Sequence, residues 1–319
     1  MNSLTFENPA VGQEIDLISD QYVRLESITG VSSTGQIGTQ SVTGKDGATP
    51  TFSVIPARQI IVNFRIRKGV DAEQAMHDLY RIFAVKSSGT MTFVGRLGAS
   101  KIDYIVQSCE IPPNQETLKG MATLICPDPY FRAETDAEAT IAGSESVFML
   151  PYTFPDTSFY ISRRIASLFA EIYNDGEADT GMVIKMTAEA KVVNPAIISV
   201  DTGAAARLNF TMQAGDVITI TTGQDNKHIT LLRGGVTTNI FNRTIFPFAF
   251  FELKQGANVF TYSAESGMDD LDIDVTYTAR FGAMYTNAPA AINARMTYDE
   301  IERRVEEIAE VVQIGGIYG

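Results

Sequence analysis

The sequence predicts a mainly β chain of two domains followed by a short helical extension. Three observations carry this prediction. The 319 residues are enough for about two cores at ~150 residues each. The stretch Gln59 to Lys68 alternates apolar and polar residues as a half-buried strand does. Beyond Ala133, turn signals recur about every 8 to 20 residues with scarcely any helical periodicity. Apolar residues make up 45% and charged residues 20%, a balance that folded chains show and disordered ones do not.

In order along the chain, Gly30 to Pro56 is rich in Gly, Ser and Thr and reads as strands joined by a long turn or projecting hairpin, a feature that often touches neighbours. In the following strand Ile60, Val62, Phe64 and Ile66 share one face, while Ile61, Asn63, Arg65 and Arg67 share the other. Asp71 is placed to cap a helix over Ala72 to Ala84, with Gln74 completing a capping box and Met76, Leu79, Tyr80 and Phe83 forming its apolar stripe. Strands are expected at Thr90 to Leu97, Lys101 to Ile111 and Thr117 to Cys126, the last two turning at Pro112, Pro113 and Asn114. In that hairpin Cys126 faces Asp103 and Cys109 faces Gly120, which puts the thiols roughly 20 Å apart, beyond the ~7 Å Cα limit of a disulfide. Both cysteines are therefore expected as reduced, partly buried thiols.

The run Cys126, Pro127, Asp128, Pro129, Tyr130 and Phe131 ends the strand, because prolines at alternate positions remove two backbone donors, and it marks a domain junction. Past it come an acidic linker and an all-β domain punctuated by Asp175-Gly176, Asn194-Pro195, Thr202-Gly203, Ala214-Gly215, Gly234-Gly235 and Gln255-Gly256. Its strands include Val217 to Thr222 and Ile273 to Phe281, and a sandwich is the expected arrangement. Near the end Thr297 and Glu300 cap a helix on which Ile301, Val305, Ile308 and Val312 form an apolar stripe.

Charge excludes one large class of partner. The 38 Asp+Glu against 25 Lys+Arg give a net charge of −13, which opposes binding to a nucleic-acid backbone. The excess is uneven: residues 1–135 carry 12 basic and 14 acidic side chains, residues 136–319 carry 13 and 24. The opening Met-Asn-Ser-Leu-Thr-Phe-Glu lacks a basic segment followed by an apolar one, and the most apolar run, Ile245 to Phe251, falls far short of the ~20 residues that span a bilayer. Neither a secretion signal nor membrane insertion is expected.

Catalytic signals are weak. There are two histidines, His77 and His228, and no H-E-x-x-H, G-x-S-x-G, phosphate-loop or dinucleotide pattern. No catalytic residue, metal ligand or cofactor is assigned. Asp270, Asp272 and Asp274 alternate onto one strand face and read as a solvated face rather than a calcium site. The loop at Asp175, Glu177 and Asp179 lacks the glycine and the bidentate Glu of a calcium loop and reads as a turn. Tyr152, Phe154, Phe159, Tyr160 and Tyr173 cluster near the second domain's start, as core or as a sugar platform. Arg65 and Arg67, outward on their strand, are candidates for pairing with acidic groups of a neighbouring subunit.

Several segments together resemble the distal tail protein family of long-tailed, siphovirus-type bacteriophages. In the first half these are Arg58-Gln-Ile-Ile-Val-Asn-Phe-Arg-Ile-Arg67 after a Gly-rich turn, the helix at 72–84 and Cys126-Pro-Asp-Pro-Tyr-Phe131. In the second half Leu150-Pro-Tyr-Thr-Phe-Pro155, Tyr173-Asn-Asp-Gly-Glu177, Val193-Asn-Pro-Ala-Ile197, Gln213-Ala-Gly-Asp-Val-Ile-Thr-Ile220, Leu253-Lys-Gln-Gly-Ala-Asn258 and Tyr277-Thr-Ala-Arg-Phe-Gly282 follow in the family's order. The resemblance covers roughly residues 1 to 285. It implies a β-barrel-like, ring-forming adaptor domain with one packed helix at residues 1–134, and a galectin-like β-sandwich at 135–285. The helical extension at 286–319 lies beyond the family's usual end.

It further implies a structural protein of the virion, at the distal end of the tail and assembled in the host cytoplasm, without enzymatic activity. Such a protein forms a homo-hexameric ring that joins the tail tube protein to the tail hub or tail-associated protein, with the tape measure and receptor-binding proteins as further contacts. The stripe Ile301, Val305, Ile308 and Val312 then becomes a candidate docking surface on a neighbouring subunit, the hub or an adjacent ring, against simple packing on its own chain. A carbohydrate-binding module of a virion or cell-surface assembly is the alternative reading, supported by the sandwich alone.

Overall fold

The computed structural model describes residues 3–41, 43–44, 46–68, 70–96, 98–112, 118–142, 144–146, 162–164, 169–224 and 226–284. The expected helix bearing Ile301, Val305, Ile308 and Val312, the aromatic cluster from Tyr152 to Tyr160 and the turn at Pro113 and Asn114 lie outside the described residues. The chain divides into two units, one running to Thr135 and resuming at Arg280, the other spanning Asp136–Ala279. No helix among the described residues is long and apolar enough to cross a membrane.

The first unit contains, in order, β1 (Ser3–Asn8), β2 (Gln13–Asp16), β3 (Val23–Thr29), β4 (Gln36–Gln40), β5 (Thr49–Val54), β6 (Arg58–Ile66), α1 (Ala72–Ile82), β7 (Ser88–Val94), β8 (Ala99–Glu110), β9 (Lys119–Cys126) and β10 (Phe131–Ala133). Seven of these strands form an antiparallel path β2-β1-β7-β8-β9-β6-β3. Its two ends meet where Leu25 N donates to Leu17 O (2.9 Å), so the sheet curls back on itself. The alternation that predicted β6 is what the sheet buries: Ile60, Val62 and Phe64 are fully enclosed and Asn63 and Arg65 turn outward. The segment Gly30 to Pro56 does form a hairpin, β4 with β5, exposed along nearly its whole length.

Helix α1 starts as its sequence demands, with Asp71 Oδ1 accepting from Gln74 N at 3.1 Å. The capping box is one-sided, because Gln74 Nε2 reaches forward to Asp78 instead of back to Asp71. The buried stripe is also rotated from the expected one. Ala75, Leu79, Ile82 and Phe83 face the sheet, Met76 is half-buried, and Tyr80 is 45% exposed. Two small or β-branched residues make that face the closer fit to the strands beneath it.

Phe83 sits among Phe6 (5.3 Å between ring centroids), stacked Phe64 (6.0 Å) and, beyond Phe6, Tyr104 (6.0 Å from it). Each such burial contributes roughly 1.5–3 kcal/mol. Asn8 fastens the helix end to β1. Its buried Nδ2 donates to the carbonyls of Arg81 (3.1 Å) and Ile82 (3.0 Å), two acceptors left over by the last helical turn.

The β8–β9 hairpin differs from the expected register. Cys109 lies opposite Ala122 rather than Gly120: the ladder is already one residue out of the expected register at Ile105 and Ile125, and a bulge at Gln107 in β8 adds a second. The cysteines therefore stand four residues apart along β9, roughly 13 Å, and both are free thiols.

The second unit contains β11 (Ala137–Ala142), β12 (Ser144–Ser146), β13 (Ser162–Arg164), β14 (Phe169–Asn174), β15 (Met182–Ala188), β16 (Val192–Val193), β17 (Ala196–Ser199), β18 (Ala205–Arg207), β19 (Thr211–Met212), β20 (Val217–Gly223), β21 (Asn226–Arg233), β22 (Val236–Asn239), β23 (Gly256–Ser263) and β24 (Leu271–Tyr277). A six-stranded sheet, β11-β24-β15-β20-β21-β22, faces a four-stranded one, β14-β23-β17-β18, and two short two-stranded ladders complete the unit. Inward side chains of both sheets share one core, with Ile184, Ile220, Ile273 and Val275 from the larger and Ile197 and Phe260 from the smaller.

The strand expected from Ile273 to Phe281 is in fact two. β24 ends at Tyr277, and Arg280–Phe281 form β25, which pairs with β10 in the first unit. The expected boundary at 285 is thus corrected: residues 280–284 pack into the first unit, where Ala283 bridges Ser32 and Met284 N donates to Val31 O (3.2 Å).

Candidate assembly surfaces

On the first unit, the hairpin β4–β5 displays Ile37 (63% exposed), Phe52 (50%) and Val54 (50%). The register puts Phe52 and Val54 on one face of this two-stranded ribbon, itself marginal alone, and Ile37 on the other, so both faces expose apolar side chains. The outward face of β6 holds the expected arginines, but each already has a partner in its own chain. Arg65 Nε lies 3.7 Å from Glu26, which Lys119 also approaches at 3.1 Å. Arg67 Nε donates to the Val23 carbonyl at 3.5 Å. Glu26 therefore answers two cations, and Arg65, 38% exposed along its side chain, keeps donors free to face outward.

At the junction, β9 stops at Cys126, and Asp128 Oδ1 accepts from Tyr130 N (3.2 Å) to set the turn before β10. The same oxygen accepts from Arg280 (2.6 Å), whose guanidinium lies 4.5 Å from the Tyr130 ring centroid. Phe131 is fully buried beneath Arg58, 4.9 Å from its ring centroid.

Sequence reasoning missed Arg58, which holds the unit's two chain segments together. Only 6% exposed, it donates through Nη2 to Gly282 O (2.7 Å) and Ser33 Oγ (3.0 Å) and through Nη1 to Gly30 O (3.4 Å), and its buried Nε has no hydrogen-bond partner. Burial draws the guanidinium pKa down, opposed by nearby Cys126 and Asp128. Burial likewise pushes the thiols of Cys109 and Cys126 each up to about 12, which makes them poor nucleophiles.

On the second unit, the acidic strand face is a solvated one in the main: Asp274 is exposed, lies opposite Lys185 and accepts from Thr140 Oγ1 at 2.9 Å. Asp270 has left that face for a single 3-10 turn, Met268–Asp270. The loop at Asp175 and Glu177 is a turn, and Asp179 beside it pairs with Lys254.

Asp216 was not singled out by its sequence. Nearly enclosed, it takes two hydrogen bonds from Arg233 (2.8 Å from Nε) and one from Gln213 N (2.7 Å). The Arg233 bonds hold its carboxyl below the usual carboxylate range. The only sequence signal is its place after Ala214-Gly215, where an Asp closes a turn.

An open recess of about 450 Å³ is lined by Asp201, Lys227, Phe250, Glu252 and Asn258 among others. The Asn258 amide is committed to its own loop, donating to Lys254 O (2.8 Å) and Gly256 O (2.9 Å). His77 is exposed on α1, and His228 Nε2 lies 3.5 Å from Thr221 Oγ1. Among the described residues no three His, Cys, Asp or Glu side chains gather as a metal site would.

Residues 175–281, most of the second unit together with β25, match the family model of the siphovirus-type tail component, C-terminal domain. No curated protein sequence matches the chain. Among solved structures the chain is similar to SPP1 Dit (gp 19.1), described as a paradigm of the hub adsorption apparatus in phages infecting Gram-positive hosts. That match has 15% identity and a TM-score of 0.63, and covers 87% of this chain and 99% of the other. It is also similar to a chain of the phage P2 baseplate in its activated conformation with calcium (11% identity, TM-score 0.47, 89% and 99% covered). The corresponding strontium structure gives 12% identity and a TM-score of 0.45, with 86% and 97% covered. Residues 175–281 are therefore similar to the C-terminal domain of siphovirus-type tail components, 87% of the chain shares the fold of SPP1 Dit, and the resemblance to the distal tail protein family of siphovirus-type phages stands.

Proposed function

We infer that the chain is a structural component of a phage tail tip that acts by geometry rather than catalysis. The observation that carries this is the family match over residues 175–281, set in a chain with the fold of SPP1 Dit. In this reading six copies close a ring at the distal end of the tail, so that one symmetric adaptor offers six equivalent attachment points. The first unit seats on the tube protein and on its own copies, through the hairpin with Ile37, Phe52 and Val54 and the outer face with Arg65 and Arg67. The second, a galectin-like sandwich, faces the hub, the tape measure or receptor-binding proteins. The charge distribution supports this division. A first half near neutrality packs closely against itself, whereas the strongly acidic second half resists self-association.

Negative-stain class averages of the purified protein test the reading. A sixfold ring with an open centre and a mass six times 34.8 kDa is expected. Ile37→Ser with Phe52→Ser is expected to leave the melting of the monomer unchanged and to abolish the ring. Monomers alone, both free and with tube protein added, would overturn the ring.

A further inference from the structure

The sequence holds two Asp-Gly dipeptides, Asp46-Gly47 and Asp175-Gly176. In such a pair the side-chain carboxyl and the next amide nitrogen belong to one prospective five-membered ring, so their meeting is intramolecular, and glycine leaves the nitrogen unshielded by a Cβ. The covalent chemistry of the two pairs is the same. Their folded settings are opposite.

Asp46-Gly47 lies in the turn that joins β4 to β5, beyond the last ladder pair, Gln40 with Thr49. Both residues are exposed, and Gly47, at φ +93°, has open space where a Cβ would stand. No carbonyl or side chain among the described residues accepts from the Gly47 amide, and Asp46 forms no ion pair among them. Neither reacting group is held elsewhere.

Asp175-Gly176 is fastened. Gly176 is buried, and its N donates to Asn174 Oδ1 at 2.9 Å. Asn174, 1% exposed, is anchored in turn by donating through Nδ2 to Ala178 O (3.0 Å) and Leu253 O (3.4 Å). Ring closure there requires Gly176 N to leave that bond and turn toward the Asp175 side chain, so the whole loop must open first.

We propose that Asp46 is a site of spontaneous isoaspartate formation in the folded chain, and that the fold withholds the same reaction from Asp175. The Gly47 nitrogen attacks Cγ of the Asp46 carboxylic acid. A C–N bond forms, and the acid's hydroxyl leaves as water with the amide proton, which closes a succinimide. Water then adds at the ring carbonyl that was the Asp46 main-chain carbonyl and breaks its bond to Gly47 N. The chain now runs through Cγ, one methylene longer, with the free carboxylate on Cα and no net change of mass. Because the ladder ends at Gln40 and Thr49, the added atom falls in the turn and the β4–β5 pairing is kept. This inference does not depend on the tail-tip reading.

Ageing the full chain in warm, mildly acidic buffer tests it, with isoaspartate at each position read by electron-transfer fragmentation of its peptides, which separates the two isomers. In the folded chain isoaspartate is expected to accumulate at 46 at least about tenfold faster than at 175. In urea, where both loops are open, the two rates are expected to agree within about twofold. Asp46→Glu, whose longer side chain closes a six-membered ring instead, is expected to abolish the product at 46 and leave 175 unchanged. Equal rates in the folded chain, or no product at 46 until urea is added, would overturn the proposal. A tenfold difference that persists in urea would also overturn it, by assigning the selectivity to the flanking sequence rather than to the fold.

Discussion

Gly89 shows how one hydrogen atom in place of a methyl sets the first core. It lies opposite Tyr104 across β7 and β8, and a Cβ there would stand 2.2 Å from Glu7 O and 2.6 Å from the Tyr104 hydroxyl oxygen, which itself donates to Glu7 O. Backbone cannot retreat as a flexible side chain can. Gly89→Ala is therefore expected to destabilise the first unit by about 1–3 kcal/mol, read as a lowered urea midpoint, without altering the second.

Asp216 makes a pH prediction of definite sign. Its folded pKa is depressed by the Arg233 bonds, so its contribution is complete above the ordinary carboxylate value of ~3.9 and is lost as pH falls through the lower folded value. Urea midpoints measured between about pH 5 and pH 2 should fall more steeply for the native chain than for Asp216→Asn. A parallel slope would show the pair to be inert. The two thiols have the opposite sign: their pKa is raised by burial, so what they contribute is present below ~8.5 and declines as pH rises toward about 12.

At the scale of elements, helix α1 hangs on one side chain from another strand. Asn8→Ala would strip the donors from Arg81 O and Ile82 O in a buried setting, at a cost of about 1–3 kcal/mol. A thermal melt should show it, and a shift no larger than that of an exposed Asn→Ala control would refute the fastening role.

Elements were legible in the sequence where their causes were local. The period-two run of β6 and the Asp71 cap depend on neighbours a few residues away, and both were readable. The helix face was readable only approximately, since Tyr80 and Ile82 compete for the same sheet and only packing decides between them. The single strand expected at 273–281 failed for a clear reason. Ile273, Val275, Tyr277, Ala279 and Phe281 are all buried, so the period of two continues unbroken across the point where the chain changes sheet. No periodicity argument can see a change of partner. The bulge at Gln107 escaped for the same reason, and Arg58 because its acceptors lie 28 and 224 residues away.

For the whole molecule, the important feature is that the first unit contains residues from both ends of the described chain. Arg132 pairs with Arg280 and with Lys101 across neighbouring strands, and Ser100 Oγ donates to Met284 O at 3.2 Å. A chain ending at Ala279 should keep the sandwich and lose β25 and the Gly282 acceptor of Arg58. Pulse proteolysis is expected to cut its first unit at lower urea than that of the full chain, with the second unit unchanged. Equal resistance of both first units would mean that the return segment adds no stability.

The return of the chain at Arg280 also sets a timetable for synthesis. A ribosome adding about 5–20 residues per second needs roughly 7–30 s to travel from Thr135 to Phe281. Throughout that interval the nascent first unit waits with Arg58 lacking its Gly282 carbonyl, while every strand of the sandwich emerges behind it in one continuous stretch. The domain that begins first is thus the last to be finished, and the sandwich is complete before its host can close.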